Sequence, residues 1–346
     1  MKWLIGLLIF LSAIGAAGLY GLKWQKERDY KHKWEPIVMP QRVARVLQPL
    51  SVDKLAELLQ QSGKIRDTGA FLQAAKEIKL VRVAAGGYAL PKIAGPRELA
   101  KVFKQAPDYH KVTFPEGWTG FKMATRLAQR GFAHAADLRK LVYPPGKAVS
   151  PWEGRLFPDT YDLPGHGDAK TLLEALNGRF KDVMKGLPVS RSQMPRGGDG
   201  KPLSQDQIVT LASLVERETS EDAERPIIAG VLLNRLKKKM RLQCDASVQY
   251  VRELQEAQGK LEQGHKEKLL IKDLWLDSPY NTYRHAGLPP GPICNPGKSS
   301  IMAALQPRAS EYLFYVMSPK LERHRFAATF PEHLHNKELA AQEGAR

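Results

Sequence analysis

The segment Leu211-Ala-Ser-Leu-Val-Glu-Arg-Glu-Thr219 decides how the second half of this chain folds. Three apolar residues and one acid share one helix face, at the spacing i, i+3, i+4 and i+7: Leu211, Leu214, Val215 and Glu218. Glu216 points to the other side of the same helix. Upstream, Ser204 followed three positions later by Gln207 is a capping box, which predicts the start of the helix. The sequence therefore predicts one inward-facing acid near a helix end.

An acid on an otherwise apolar face must be neutralised, paired or used in chemistry. An apolar environment raises the pKa of a carboxyl group, and a raised pKa is what a general acid needs near neutral pH. Helix ends also carry exposed Glu without any function, so the spacing alone leaves Glu218 open to either a catalytic or a structural role.

A second helix and polar loops follow this acid. Pro226 stands in the first-turn position of the next predicted helix, which ends in the basic run Lys237–Arg241. That run is either a solvated face or a surface for an acidic ligand. The stretches 242–250 and 280–297 are rich in Gln, Asp, Asn and Tyr. Such loops suit a sugar-binding cleft, although ordinary Pro/Gly connections look similar.

The segments Tyr312–Val316 and His324–Ala327 form a predicted hairpin that closes the domain. Residues 171–186 form a predicted amphipathic helix, and residues 187–202 a loop. Further upstream, three segments with capped helix starts at Ser51, Gly95 and Thr119 alternate with short β-like pieces. This alternation predicts a small α+β module.

The composition indicates an anionic partner without naming it. The 346 residues carry a formal charge of +17, which fits nucleic acid, a membrane surface or an acidic polymer. No RNA-binding aromatic signature, zinc-finger spacing or Walker loop is present. Cys244 and Cys294 could form one bridge or be two small buried residues, and no His stands at ligand spacing from either. We therefore predict no metal and no cofactor.

The N-terminus predicts export of the rest of the chain. Residues Trp3 to Leu22 contain no charge and reach the length of a membrane-spanning helix, with aromatic residues near both ends. The alternative is a signal peptide cleaved after the small residues Gly15-Ala16-Ala17. Because the apolar run continues past that point, we favour an uncleaved anchor.

Taken together, these segments resemble the endolytic murein transglycosylases, the YceG-like family. The resemblance covers nearly the whole chain and rests on ordered motifs at Glu153–Tyr161, Ala212–Thr219, Asn234–Leu236, Leu242–Asp245, Tyr280–Tyr283, Gly287–Gly291, Asn295–Gly297 and Tyr312–Val316. It implies an α+β fold in four parts: a transmembrane anchor (1–22), a linker (23–45), a LysM-like module (46–150) and a larger mixed α/β catalytic domain (151–340) with its acid on a helix.

The resemblance also implies an activity and its residues. Glu218 matches the family's catalytic acid, which cleaves the β-1,4 bond between N-acetylmuramic acid and N-acetylglucosamine inside peptidoglycan strands and leaves 1,6-anhydro ends. We expect the cleft to be lined by Gln243, Asp245, Asn281, Tyr283 and Asn295. The implied setting is the inner (cytoplasmic) membrane, crossed once, with the catalytic domain in the periplasm. The implied partners are glycan strands and the peptidoglycan synthases (penicillin-binding proteins), whose nascent strands the enzyme would terminate.

Two departures from the family pattern bear on these roles. Cys244 stands where Ser or Thr is common, and the C-terminal His-Asn element has two histidines, His333 and His335, so neither receives a role. Two other functional classes remain open. One is a non-catalytic peptidoglycan-binding scaffold in which Glu218 is structural, and the other, suggested only by charge, is a membrane-tethered nucleic-acid binder.

Overall fold

The computed structural model of the chain describes residues 43–46, 49–91, 94–105, 107–132, 134–144, 149–165, 168–187, 194–259 and 269–344. Within these ranges no helix is both long and apolar enough to cross a membrane. The predicted anchor at Trp3–Leu22 and most of the predicted linker lie outside them. The end of that linker differs from expectation, because Val43–Val46 is strand β1, which pairs with a later strand of the same sheet.

A small βααβ unit follows β1. Strand β2 (Leu50–Ser51) leads into helices α1 (Val52–Gln61) and α2 (Thr68–Glu77), and β3 (Arg82–Val83) returns antiparallel to β2. Ser51 begins α1 by accepting a hydrogen bond from the Lys54 amide, as its N-cap position predicts. The apolar faces of both helices pack together around the fully buried Phe71.

The first half of the chain contains a four-stranded antiparallel sheet with the strand order β1-β4-β5-β6. Its other strands are β4 (Gly86–Ala89), β5 (Tyr109–Thr113) and β6 (Thr160–Pro164). Helix α3 (Pro96–Lys104) separates β4 from β5, while α4 (Gly120–Gln129) and α5 (Ala135–Val142) separate β5 from β6. The short strands and capped helices predicted between residues 51 and 131 are therefore confirmed.

The second half is helical around one apolar core. Helix α6 (Ala169–Lys185) precedes α7 (Gln205–Glu218), α8 (Arg225–Lys237), α9 (Asp245–Ala257) and α10 (Lys298–Leu305), with a 3₁₀ helix at Ile271–Trp275. Helix α7 contacts α8, α9 and α10, and its residues from Ile208 to Val215 are all buried. The Ser204–Gln207 capping box begins it as predicted. The core thus fixes the helix that carries both acids.

A hairpin and a last helix close the fold. Strands β7 (Phe314–Ser318) and β8 (Arg323–Ala327) pair antiparallel, and α11 (Phe330–Gly344) packs on both. This hairpin is the predicted one, shifted by two residues at its first strand. The described residues thus form a mixed fold of helices and small antiparallel sheets, which confirms the α+β prediction at that level.

Candidate active site

Glu218 is the last residue of α7, where the chain leaves the core. Its side chain is partly exposed, and the Tyr315 hydroxyl donates a hydrogen bond to its Oε2 at 2.9 Å. Burial of the carboxyl group raises the pKa of Glu218; the Tyr315 hydrogen bond opposes this rise and the charge of Asp245 adds to it. The negative end of a helix dipole also disfavours a carboxylate. This acid is therefore held toward its protonated form and remains reachable from solvent.

Asp245 and Tyr283 form a second part of the site. Asp245 is the first residue of α9 and is exposed, and the Tyr283 hydroxyl donates to its Oδ1 at 2.5 Å. Burial, then the hydrogen bond to Asp245, raises the pKa of Tyr283, so that its hydroxyl keeps its proton. The structure thus brings together Glu218, Asp245 and Tyr283, three of the residues predicted for the site.

Cys244 joins these two parts. Its thiol is buried and donates to the Leu242 carbonyl at 3.7 Å, and it lies close enough to Glu218 and Tyr315 to lower the pKa of Glu218. Burial in turn raises the pKa of the thiol well above its usual range. The Cys244 amide donates to Thr282 Oγ1 at 2.9 Å, which ties the start of α9 to the Tyr283 turn. Cys244 and Cys294 are both free and buried, so of the two alternatives the structure shows separate buried thiols.

Behind Glu218 lies a buried pair that the sequence did not reveal. Glu224, at the start of α8, accepts from His324 Nδ1 at 2.7 Å and from the His324 backbone amide at 2.6 Å. It also accepts from Thr219 Oγ1 at 3.0 Å. The hydrogen bonds from His324 and Thr219 outweigh the effect of burial and lower the pKa of Glu224. The residue next to Glu218 is thereby linked to the hairpin that carries Tyr315.

Glu216 points to the opposite side of α7, as predicted, and has a structural environment. It forms a buried ion pair with Arg225 at 3.1 Å and accepts from the Gly297 amide at 2.9 Å. Glu116 lies against Gly297, since a Cβ built there would meet its carboxyl group. Burial, then the charge of Glu216, raises the pKa of Glu116 to about 7. These acids hold the start of α10 in place.

Two predicted cleft residues, Asn281 and Asn295, are fully buried. Asn281 Nδ2 donates to the carbonyls of Leu274 and Leu276 at 3.0 and 2.8 Å. Both asparagines therefore hold loops from inside. Gln243 is exposed with φ 50°, and its amide donates to the Thr282 carbonyl.

Asn295 belongs to a buried network around Glu153. Asn295 Nδ2 donates to Glu153 at 2.8 Å and its Oδ1 accepts from the Leu156 amide at 2.9 Å. Glu153 also accepts from the Gly120 amide at the start of α4 and from Tyr143. Burial raises the pKa of Glu153 to about 7. The Glu153–Tyr161 motif thus anchors the loop before α10 to the sheet-bearing half.

In the last helix, His333 lies in an aromatic environment. The His333 ring stacks on Phe314 at 5.1 Å, and its Nδ1 is buried without a partner. Within the described ranges, no group of three or more His, Cys, Asp or Glu residues is placed to hold a metal ion.

The chain matches one known protein family over most of its length. The sequence pattern of the YceG-like family covers residues 45–339, which include every residue of the site described above. The chain belongs to the YceG-like family. A crystal structure of a YceG-like protein from Listeria monocytogenes is similar to it, with a TM-score of 0.57 and 29% identity over 86% of this chain and 99% of the other.

Relatives with named activities extend this family assignment. The chain is 42% identical over 54% of its length to a protein of Bacillus subtilis called endolytic murein transglycosylase. It is 26% identical over 91% of its length to one of Streptococcus pneumoniae with the same name. The matches span 48% and 60% of those proteins' own lengths.

Proposed function

We propose that this chain is a lytic transglycosylase that cuts the β-1,4 bond between N-acetylmuramic acid and N-acetylglucosamine within peptidoglycan strands. The observation that carries the proposal is the environment of Glu218. Burial raises the pKa of its carboxyl group, while the side chain stays partly exposed. Its neighbours Asp245 and Tyr283 offer hydrogen-bonding groups suited to sugar hydroxyls. The relatives named endolytic murein transglycosylase support the same substrate.

The reaction needs one group that first gives and then takes a proton. Protonated Glu218 donates its proton to the glycosidic oxygen as the bond from that oxygen to the anomeric carbon breaks. The 6-hydroxyl of the muramyl residue attacks the anomeric carbon, and its proton passes to the Glu218 carboxylate. A 1,6-anhydro ring forms, no water is consumed, and the acid returns to its protonated state.

The presence of Asp245 near Glu218 favours a second candidate within the same class. A carboxylate beside a general acid can activate water, which gives hydrolysis and a reducing end. The Oδ1 atom of Asp245 already accepts the Tyr283 hydroxyl at 2.5 Å, so we place the transglycosylase first.

We further propose the setting implied by the family resemblance. Residues 1–22 would anchor the chain as a single pass in the cytoplasmic membrane, with the remainder in the periplasm beside peptidoglycan synthases, where cleavage would terminate nascent strands. The βααβ unit of residues 50–83 supports the proposal of a LysM-like glycan-binding module. Its open groove is bordered by three cations, Lys76, Lys79 and Arg82, and one acid, Asp53, a positive balance that suits an anionic glycan.

Mass spectrometry of products from purified glycan strands tests the proposal. Wild type, Glu218→Gln and the exposed control Glu221→Gln are compared. We expect wild type and the control to give 1,6-anhydromuramyl ends, about 18 Da lighter than reducing ends because no water is added. Glu218→Gln gives none. Reducing ends would establish the hydrolase, and glycan binding without cleavage by any variant would establish the scaffold.

A further inference from the structure

The buried pair of Glu224 and His324 connects two segments that meet at Glu218. Glu224 holds Thr219, the residue directly after the acid, and at the same time holds both the ring and the backbone of His324. The side chains of His324 and Glu224 are buried, with 6% and 8% exposure respectively. A buried carboxylate with three donors is a well-defined junction, because losing any of them would leave a polar group unsatisfied.

The hairpin of β7 and β8 connects this junction to Tyr315. His324 faces Met317 across the two strands, and Tyr315 faces Phe326, the residue two positions after His324. The rings of His324 and Tyr315 meet edge to face with centroids 5.3 Å apart. Because the side chains of a strand keep a fixed alternation, fixing His324 also fixes where the Tyr315 hydroxyl lies.

We propose that Glu224 and His324 are positioning residues that hold Tyr315 against Oε2 of Glu218, so that Oε1 is the oxygen that exchanges the proton with the glycan. This assignment rests on the proposed transglycosylase function and refines it. Tyr315 donates to the carboxylate more strongly than to the protonated acid, so it stabilises the charged state that Glu218 reaches when it gives its proton to the glycosidic oxygen. The pair touches no reacting atom and acts mainly through Tyr315, while the charge of His324 adds a smaller direct effect on the pKa of Glu218.

The groups around Glu218 decide whether its pKa rises or falls when Tyr315 is replaced. Tyr315, His324 and Cys244 lower the pKa of Glu218 and Asp245 raises it, while Arg235 lies near Tyr315 and Glu224 behind His324. Removing the Tyr315 donor therefore raises the pKa of Glu218. The limb of the pH–rate profile on which activity falls with rising pH moves upward in pH.

Kinetic variants test this chain of contacts. Tyr315→Phe and His324→Leu should each lower the maximal rate by roughly tenfold to a hundredfold and move the high-pH limb up by about one unit, as expected for one hydrogen bond to a charged group. The effect of the double variant should fall well short of the two single effects combined, because both act mainly along one path. His324→Asn keeps a donor for Glu224 and should recover much of the rate. Tyr312→Phe, an exposed tyrosine of the same hairpin region, is the matched control.

The outcomes separate a positioning role from a merely structural one. A His324→Leu variant that loses thermal stability yet keeps the wild-type pH limb would overturn the proposal, as would additive effects in the double variant. Carbon-13 NMR titration of Glu218 in the full chain gives a readout independent of turnover. An upward shift of its pKa in both single variants, with an inactive wild type, would support the positioning while refuting the function. An unchanged pKa in folded Tyr315→Phe would refute the positioning itself.

Discussion

Asn295 and Glu153 are 142 positions apart in the chain, and Nδ2 of the first lies 2.8 Å from Oε1 of the second. Asn295 is fully buried and Glu153 is 2% exposed. This contact joins the loop that leads into α10 to the turn that leads into β6. The Glu153 carboxyl group is therefore one of the contacts that tie the segment supporting the candidate site to the sheet-bearing half.

Replacing Glu153 by Gln should change how stability depends on pH. Burial raises the pKa of Glu153 from its ordinary 4.5 to about 7. Between those values the unfolded chain has lost the proton that the folded chain keeps, so the free energy of unfolding falls as pH rises, by about 3 kcal/mol in all. Glu153→Gln resembles the protonated form and should lose this part of the slope, while the part due to Glu116, whose pKa is also raised to about 7, remains. Urea unfolding from pH 4.5 to 8 measures it, with exposed Glu311→Gln retaining the wild-type slope.

Truncating Asn295 should destabilise the protein. The amide serves Glu153, the Trp118 carbonyl and the Leu156 amide, all in the interior. Asn295→Ala removes the side-chain partner of the Leu156 amide and one of several partners of Glu153 and of the Trp118 carbonyl, which should cost about 2 to 4 kcal/mol. Chemical denaturation compares it with Lys298→Ala, an exposed position nearby, which should be neutral. A neutral Asn295→Ala would mean that the network does not hold the loop.

Substituting the two acids of α7 should have different effects, one on stability and the other on cleavage. Glu216→Gln breaks a buried ion pair with Arg225, although Asp222 remains at 2.9 Å, and should lower the free energy of unfolding by about 2 to 4 kcal/mol. Glu218→Gln should abolish cleavage and leave the protein as stable as wild type or more so, because it replaces a desolvated acid. Melting temperatures and product yields, measured together, give a crossed pattern. Equal losses of yield would place Glu216 in the chemistry.

Neutralising Asp245 should shift the pH dependence of cleavage downward. The charge of Asp245 raises the pKa of Glu218, so Asp245→Asn lowers that pKa. The protonated acid is then lost at lower pH, and the high-pH limb of the rate profile moves down. This direction is opposite to that expected for Tyr315→Phe. Initial rates across pH 4 to 9 on one glycan preparation distinguish the two, and a limb that stays in place would show that Asp245 does not act electrostatically.

The two thiols should be inert in the folded protein. Burial raises the pKa of Cys244 and of Cys294 well above the usual value, which suppresses the reactive thiolate. A thiol reagent should label neither in native buffer and both after unfolding in urea without reductant. One or no labelled thiol in the unfolded protein would contradict the free cysteines.

The sequence predicts what is local and misses what is distant. The capping box at Ser204, the opposite directions of Glu216 and Glu218, and the terminal hairpin all follow from spacing within one segment. Tyr315 meets Glu218 from 97 positions away, and His324 meets Glu224 from 100, so no periodicity reveals them. The motif 312–316 marked the strand that carries Tyr315 without telling which of its aromatic rings turns inward.

The polar loops show a second limit of sequence reasoning. Asn281, Asn295 and Asp245 stand in similar turn-rich stretches, yet two of them are buried supports and only Asp245 is exposed beside the acid. The sequence alone does not distinguish an asparagine that bonds buried carbonyls from one that is exposed to bind a sugar. Which one is present depends on the backbone brought close to it by the fold.

The four-stranded sheet has a practical consequence for dissecting this protein. Strand β6 lies beyond the predicted boundary at residue 150, yet it pairs with β5 from Tyr109↔Pro164 to Thr113↔Thr160. A fragment that starts at residue 151 would expose β6 as an unpaired edge, and the complementary fragment would expose β5. Such edges recruit other strands. The two pieces should therefore precipitate when made separately and recombine when made together, so the sheet acts as a seam for split-protein complementation.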